Sequence, residues 1–202
     1  MDSSALFELG YGLYVLTTYD NGKDNGCIIN TVMQIVSSPS LIGVIAVSKR
    51  NHTHDMILNS RKFNTSVLTT DTPFAVFEHF GFKSGAKVDK FATFSDIDRC
   101  ENGIVYLKKY TSAFLSFELI DTIDFGSHTM FKSAITGGAV IDENKDSVTY
   151  SYYHRHIKPK PKPTQKHGYR CIICNYIYEG DYLPADYICP LCKHGASDFV
   201  KI

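Results

Sequence analysis

No tryptophan occurs among the 202 residues, and 21 lysines and arginines are balanced by 21 aspartates and glutamates. A chain without net charge lacks the overall basic field that nucleic-acid binding draws on. No apolar run approaches the roughly 18 residues of a membrane helix, which excludes a helical span. The first residues, Met1-Asp2-Ser3-Ser4-Ala5-Leu6-Phe7-Glu8, lack the basic start and apolar stretch of a secretion leader. With 44% hydrophobic and 21% charged residues the composition is that of a folded domain, not a disordered chain. No internal repeat is visible.

Six cysteines are present, and four of them fall in two Cys-x-x-Cys pairs near the C-terminus: Cys171/Cys174 and Cys189/Cys192. Two such pairs, fourteen residues apart, have the spacing of a tetrahedral four-thiolate metal site. The 35 residues from Gly168 to Ile202 are too few to fold on apolar burial alone, so metal binding is also their folding energy. Zinc and iron both suit four sulfurs, and spacing does not choose between them. Thiols in metal spacing, with Cys27 and Cys100 far apart in sequence, fit a reducing cytoplasm better than a disulfide scaffold. Charge is unevenly laid out. Residues 1–154 hold 13 basic and 17 acidic residues, 155–167 five and none, and 168–202 three and four. The tail therefore has no basic footprint for phosphate contacts.

Upstream, residues 10–20 are β-branched and aromatic and predict a strand, followed by a turn at Asp20–Gly26 with two Asn-Gly steps. Strands are expected over 27–37, 41–47 and 63–69, with a helix over 53–59 capped by Asn51 or Thr53. Pro73 is expected at the first position of a second helix running to Phe80. From Gly103 to Tyr153 mostly strand is expected, with turns near 124–126, 137–138 and 142–144. Many strands, two short helices and no βαβ rhythm indicate an antiparallel barrel. The fold class is therefore mainly β, with a small metal-stabilised domain. Its parts are residues 1–157, a Lys/Pro-rich linker 158–167, and residues 168–202. Alternating proline in Lys158–Pro163 favours polyproline II, a stiff spacer of roughly 19 Å at about 3.1 Å per residue.

The tail resembles a rubredoxin. Its carriers are Tyr169-Arg170-Cys171-Ile172-Ile173-Cys174-Asn175-Tyr176-Ile177-Tyr178-Glu179-Gly180-Asp181, then Cys189-Pro190-Leu191-Cys192 and Phe199. The resemblance implies one iron held by Cys171, Cys174, Cys189 and Cys192, shielded by Tyr169, Tyr176, Tyr187 and Phe199. It departs from the pattern at Asn175 and Lys193, where glycine is usual, and in having Tyr187 near a position usually held by tryptophan.

Residues 1–157 resemble the flavin reductase-like family of FMN-binding split barrels, which includes flavoredoxins. The carriers are Asn25–Thr31, Ser48–His54, Gly81–Gly85 with Asp89–Phe91, and Gly126–Phe131. With the tail, the order looks like that of the high-molecular-weight rubredoxins of anaerobes. The residues fit the implied chemistry. Ser48, Lys49, Asn51 and Thr53 lie between a strand end and a helix start, where amides and the helix dipole favour a phosphate. Lys83, Ser84, Gly85 and Lys90 form a second polar, basic cluster that by resemblance closes over the flavin. Asn30 and Thr31 would face the ring, and His128 falls where the family places a histidine beside the nicotinamide. Taken without the resemblance, each is also readable as a helix cap, solvated loop, sheet-edge pair or structural histidine.

The resemblance implies a homodimeric electron-transfer protein. NAD(P)H or a rubredoxin reductase would be the donor, and a flavodiiron oxygen or nitric oxide reductase the acceptor, in an anaerobe's oxidative-stress defence. Nucleic acid and membrane are not expected partners. The alternatives are an NAD(P)H:flavin oxidoreductase with a structural zinc ribbon, and a non-catalytic binding module without flavin. If the basic linker steers an acidic redox partner, partner turnover falls as salt is added. Turnover that ignores ionic strength rules the steering out.

Overall fold

The computed structural model describes residue 5, residues 8–160 and residues 168–202. Most of the Lys/Pro stretch, 161–167, lies outside the described residues, and with it most of the polyproline expectation.

Strand β1 (Tyr14–Asp20) turns through Asn21-Gly22 into β2 (Lys23–Ile29). Both turn residues have positive φ, 49° and 80°, the requirement that Asn-Gly meets in a two-residue hairpin. The second Asn-Gly step, Asn25-Gly26, is not a turn: it lies inside β2, paired with Thr18 and Thr17. The expected strand over 27–37 is likewise two strands, because the chain leaves β2 at Asn30-Thr31 and starts β3 (Val32–Val36). Next come β4 (Ile42–Ser48), helix α1 (His52–Ser60), β5 (Lys62–Leu68) and helix α2 (Phe74–Gly81). A short pair, β6 (Ile97–Arg99) and β7 (Val105–Leu107), precedes the long hairpin of β8 (Thr111–Asp124) and β9 (His128–Val140).

All of these strands but β6 and β7, which pair only with each other, form a seven-stranded sheet in the order β2-β1-β5-β8-β9-β4-β3. Its outer strands, β2 and β3, are consecutive in the chain. Laid flat, six spacings of about 4.8 Å would hold them roughly 29 Å apart. The three Cα steps from Ile29 to Val32 reach at most about 11 Å. The sheet must curl until its edges meet, and a split barrel results.

Alternation along β1 shows both layers of packing. Leu16 points into a cluster with Ile45, Val47, Ile57 of α1, Phe63, Phe117 and Phe131. Its neighbour Val15 joins Leu68, Val76, Phe77 and Phe80 of the α2 side. Inside, the rings of Phe63 and Phe117 stack at 4.8 Å. Outside, a turn of α-helix at Tyr150–Tyr152 runs into a π turn at Tyr153–Ile157, and Tyr153 packs on Phe77 at 4.6 Å. That ending is helical where strand was expected.

Two other expectations change. Pro73 is the N-cap of α2, not its first helical residue. Gly137 and Gly138 do not turn but run within β9 opposite Ser116 and Leu115, beside a bulge at Thr136 of β9. A Cβ on Gly138 would lie 2.7 Å from the Phe114 carbonyl oxygen, so the pair marks close strand approach.

The C-terminal unit is a three-stranded sheet in the order β11 (Ile177–Glu179), β10 (Gly168–Cys171), β12 (Phe199–Lys201). Its core is Cys171, Cys189 and Phe199, ringed by Tyr169, Tyr176, Tyr178 and Tyr187. Phe117→Ala is expected to lower barrel stability by about 3–5 kcal/mol through the cavity it leaves. A lower denaturant midpoint at unchanged slope checks this; an unmoved midpoint would show that the stacked pair carries little.

Candidate functional site

Two places gather the chemistry. The first is the turn from β4 into α1. Asn51 caps α1, its side-chain oxygen accepting from the Thr53 amide at 3.3 Å. Thr53 is fully buried, and its hydroxyl accepts from Asn25 Nδ2 at 3.1 Å, which ties the helix start to β2. Ser48 Oγ accepts from the Arg50 amide at 3.4 Å. Lys49 reaches Asp124 at 2.7 Å, and the Lys49 amide donates to the Ser127 carbonyl at 3.0 Å. The Lys49 ammonium holds the Asp124 carboxyl below its usual range.

His128, the first residue of β9, lies directly across the ladder from Ser48. Its Nδ1 is 2.9 Å from Ser127 Oγ. The barrel register thus brings His128 to the same rim as Ser48 and Lys49. Behind them His54 is buried, with Nε2 2.9 Å from Thr129 Oγ1 and Nδ1 2.7 Å from Asp55.

A cavity of about 380 Å³ opens beside this turn, lined by Lys23, Asn25, His52, Met56 and the loop 85–89. Its size lies in the small-molecule range of roughly 300–1,000 Å³. Gly85 rests so close to the Asn25 amide that a Cβ there would collide with it. Lys83 and Ser84 are exposed just before it, and the Ser84 carbonyl accepts from Lys87 and Val88 to close the loop.

Lys90 has another occupation. Its ammonium is buried and donates to the carbonyls of Gly26 at 2.7 Å and Phe80 at 2.8 Å. Burial lowers its pKa to about 8. It pins α2 to β2 beneath the cavity. Asn30 and Thr31 sit where β2 passes into β3, their side chains 3.2 Å apart, and they do not line this cavity. Asn25 and Arg50 lie in stretches that carry the family resemblance and Asp124 in an expected turn, but the sequence marks none of the three as a site residue.

The second place is the sulfur cluster. All four Sγ atoms of Cys171, Cys174, Cys189 and Cys192 lie within 4.8 Å of one another. The cross pairs Cys171–Cys192 and Cys174–Cys189 are 3.5 and 3.4 Å apart, too long for disulfides. A tetrahedron with metal–sulfur bonds of about 2.3 Å has edges near 3.7 Å. The first cysteine of each pair is fully buried and the second half-buried. Asn175 and Lys193, each following a pair, take left-handed φ of 63° and 66°, as each tight knuckle demands. Hydrogen bonding from Cys192 draws the Cys174 thiol down to about 5, while burial pushes Cys171 up to about 11 and the bond to Cys174 raises Cys192. Four sulfurs this close cannot all ionise without a multivalent cation among them, so the donor set fits a metal ion.

A family model for the flavin reductase like domain matches residues 6–160. The chain belongs to the flavin reductase-like family. A model for the rubrerythrin, rubredoxin-like domain matches residues 169–200. A high molecular weight rubredoxin of Moorella thermoacetica is 37% identical across all of both chains. A ferric-chelate reductase (NAD(P)H) of Archaeoglobus fulgidus is 31% identical over 81% of this chain and 95% of its own. Among solved structures, an NADH:FAD oxidoreductase of Streptomyces globisporus superposes with a TM-score of 0.65 at 20% identity, covering 73% of this chain and 86% of its own. A flavoredoxin of Methanosarcina acetivorans gives 0.60 at 17% identity, covering 71% and 86%. The chain is an oxidoreductase built from a flavin-binding split barrel and a rubredoxin-like unit whose four cysteines suit iron. Among the described residues no helix is long and apolar enough to cross a membrane.

Thr53→Val keeps the shape but removes the hydroxyl, and Lys49→Ala removes the charge. If the β4–α1 turn holds the flavin phosphate, each is expected to weaken flavin retention about tenfold or more, the scale of a charge-assisted hydrogen bond. Unchanged flavin-to-protein ratios after gel filtration would remove the assignment.

Proposed function

We propose that this protein carries electrons from NAD(P)H, or from a rubredoxin reductase, through FMN to a one-iron centre at Cys171, Cys174, Cys189 and Cys192. From there they pass to an acceptor such as a flavodiiron oxygen or nitric oxide reductase. The observation that carries the reading is the joining, in one chain, of a flavin-family barrel and a clustered four-sulfur site. The end-to-end match to a high molecular weight rubredoxin supports it.

Bound here, flavin would supply acceptance of two electrons as a hydride and their release one at a time, and iron a one-electron relay. The chain's own residues hold and orient. Ser48, Lys49, Asn51, Thr53 and the α1 amides would hold the phosphate. Gly85 and its loop, with Lys83 and Ser84, would close over the cavity, and Asn30 and Thr31 would face the ring. His128 would orient the nicotinamide at the rim. Lys90 would act indirectly, holding β2 and α2 in place below.

A homodimer is part of the proposal. The exposed apolar side chains Ile120, Ile123 and Phe125 at the β8–β9 tip, and Met33 and Ile35 on β3, support a partner surface. A reducing cytoplasm of an anaerobe, in defence against oxidative stress, suits six unpaired cysteines. The ferric-chelate reductase relative, named for NAD(P)H, supports a pyridine nucleotide as donor.

Anaerobic visible spectroscopy with metal analysis, before and after NADH, tests the reading. Iron and FMN present, with both bands bleaching, is the expected result. Cofactors present without bleaching would make a separate reductase the donor. Zinc in the place of iron would overturn the relay and leave a flavin oxidoreductase with a structural ribbon.

A further inference from the structure

The two knuckles do not face solvent alone. Arg50 lies in the β4–α1 turn between Lys49 and Asn51, and its guanidinium donates to the carbonyl of Lys193, the residue after Cys192. On the other knuckle the Lys158 ammonium donates to the carbonyl of Ile173 and, at 3.4 Å, to that of Ile172. Both are the residues between Cys171 and Cys174. A third bond runs the other way: Asn175 Nδ2 donates to the Pro159 carbonyl at 3.0 Å. Each knuckle is thus gripped by a cation of the barrel side, from positions more than a hundred residues apart.

Lys158 is 9% exposed, and its contact is partly buried. It is also positioned by the fold: its amide donates to the Tyr153 carbonyl at 2.8 Å, closing the π turn that packs on α2. Its bonds to the carbonyls of Ile172 and Ile173 set the ammonium against the stretch between Cys171 and Cys174, close to the sulfur cluster. Carbonyls are acceptors only, so Arg50 and Lys158 match what the knuckles present.

We propose that Arg50 and Lys158 clamp the metal unit onto its own barrel, one knuckle each, so that the Cys189–Cys192 knuckle lies against the β4–α1 turn and the Cys171–Cys174 knuckle against the end of the π turn of the same chain. This rests on the electron-transfer reading for its purpose but not for its geometry. Arg50 and Lys158 are positioning residues. Lys158 does a second thing, because four thiolates with ferric iron carry one negative charge and with ferrous iron two. A neighbouring ammonium favours the more negative state and raises the potential of the centre.

Two readouts test the clamp. Small-angle scattering of the full-length, metal-loaded protein should show a larger radius of gyration for the double variant Arg50→Gln/Lys158→Met than for wild type. Potentiometric titration of the iron-loaded Lys158→Met variant should give a midpoint shifted to lower potential, which a purely structural lysine would not produce. Superimposable scattering curves for wild type and the double variant overturn the clamp. An unshifted midpoint in Lys158→Met overturns the role given to that ammonium. Neither result depends on whether NADH reduces the flavin, so failure here and failure of the proposed function are separable. If the double variant misfolds, the single variant Asn175→Gly, which keeps the left-handed turn and removes only the amide bonded to Pro159, carries the scattering test with the same expected direction.

Discussion

The barrel exists because Asn30 and Thr31 cannot bridge the edges of a flat sheet. With five strands lying between β2 and β3 in the sheet order, the chain closes the sheet on itself or breaks the connection. Closure then dictates much of the rest. It turns one face of every strand inward, where Phe63, Phe117 and Phe131 fill the space with Ile57 of α1 as a plug. It also sets the start of β9 against the end of β4, so that His128 and Ser48 meet at a rim. The cavity beside that rim lies between β2, the start of α1 and a loop held in by Gly85.

The smaller unit solves the opposite problem. It has too little apolar surface to close anything, and its core is largely the sulfur cluster itself with a ring of tyrosines and Phe199. Tyr187 packs edge-on against Phe199 at 5.4 Å and against Tyr178 at 4.6 Å, filling the core without an indole. The left-handed backbone at Asn175 and Lys193 shows that knuckle geometry overrides local preference. A lysine accepts a strained φ because the sulfur before it must point inward.

What could be read from the residues divides along the same physical line. The metal site was legible because its ligands are close in sequence and its spacing is a geometric requirement. Most strands and both helices were legible because alternation and caps are local. Missed features were those whose cause is distant. Gly137 and Gly138 look like a turn until β8 lies against them. Asn25-Gly26 looks like a second hairpin until Thr53 claims the asparagine side chain. Lys90 reads as part of the basic cluster that closes over the flavin, yet it is buried with its ammonium on two carbonyls from β2 and α2. Asp124 and Arg50 carry no signal of their own, since their partners lie 75 and 143 positions away.

The metal unit is held by few hydrogen bonds, yet it is covalently joined to the surface it touches. A short tether supplies an effective concentration on the order of millimolar, so a contact worth only about 4 kcal/mol suffices to keep the unit seated about half the time. Weakness is then useful. If the proposed redox partner docks on the same face, a unit that seats and unseats readily would offer it the two half-buried sulfurs each time it leaves the barrel. A tighter interface would trap the centre in a single conversation.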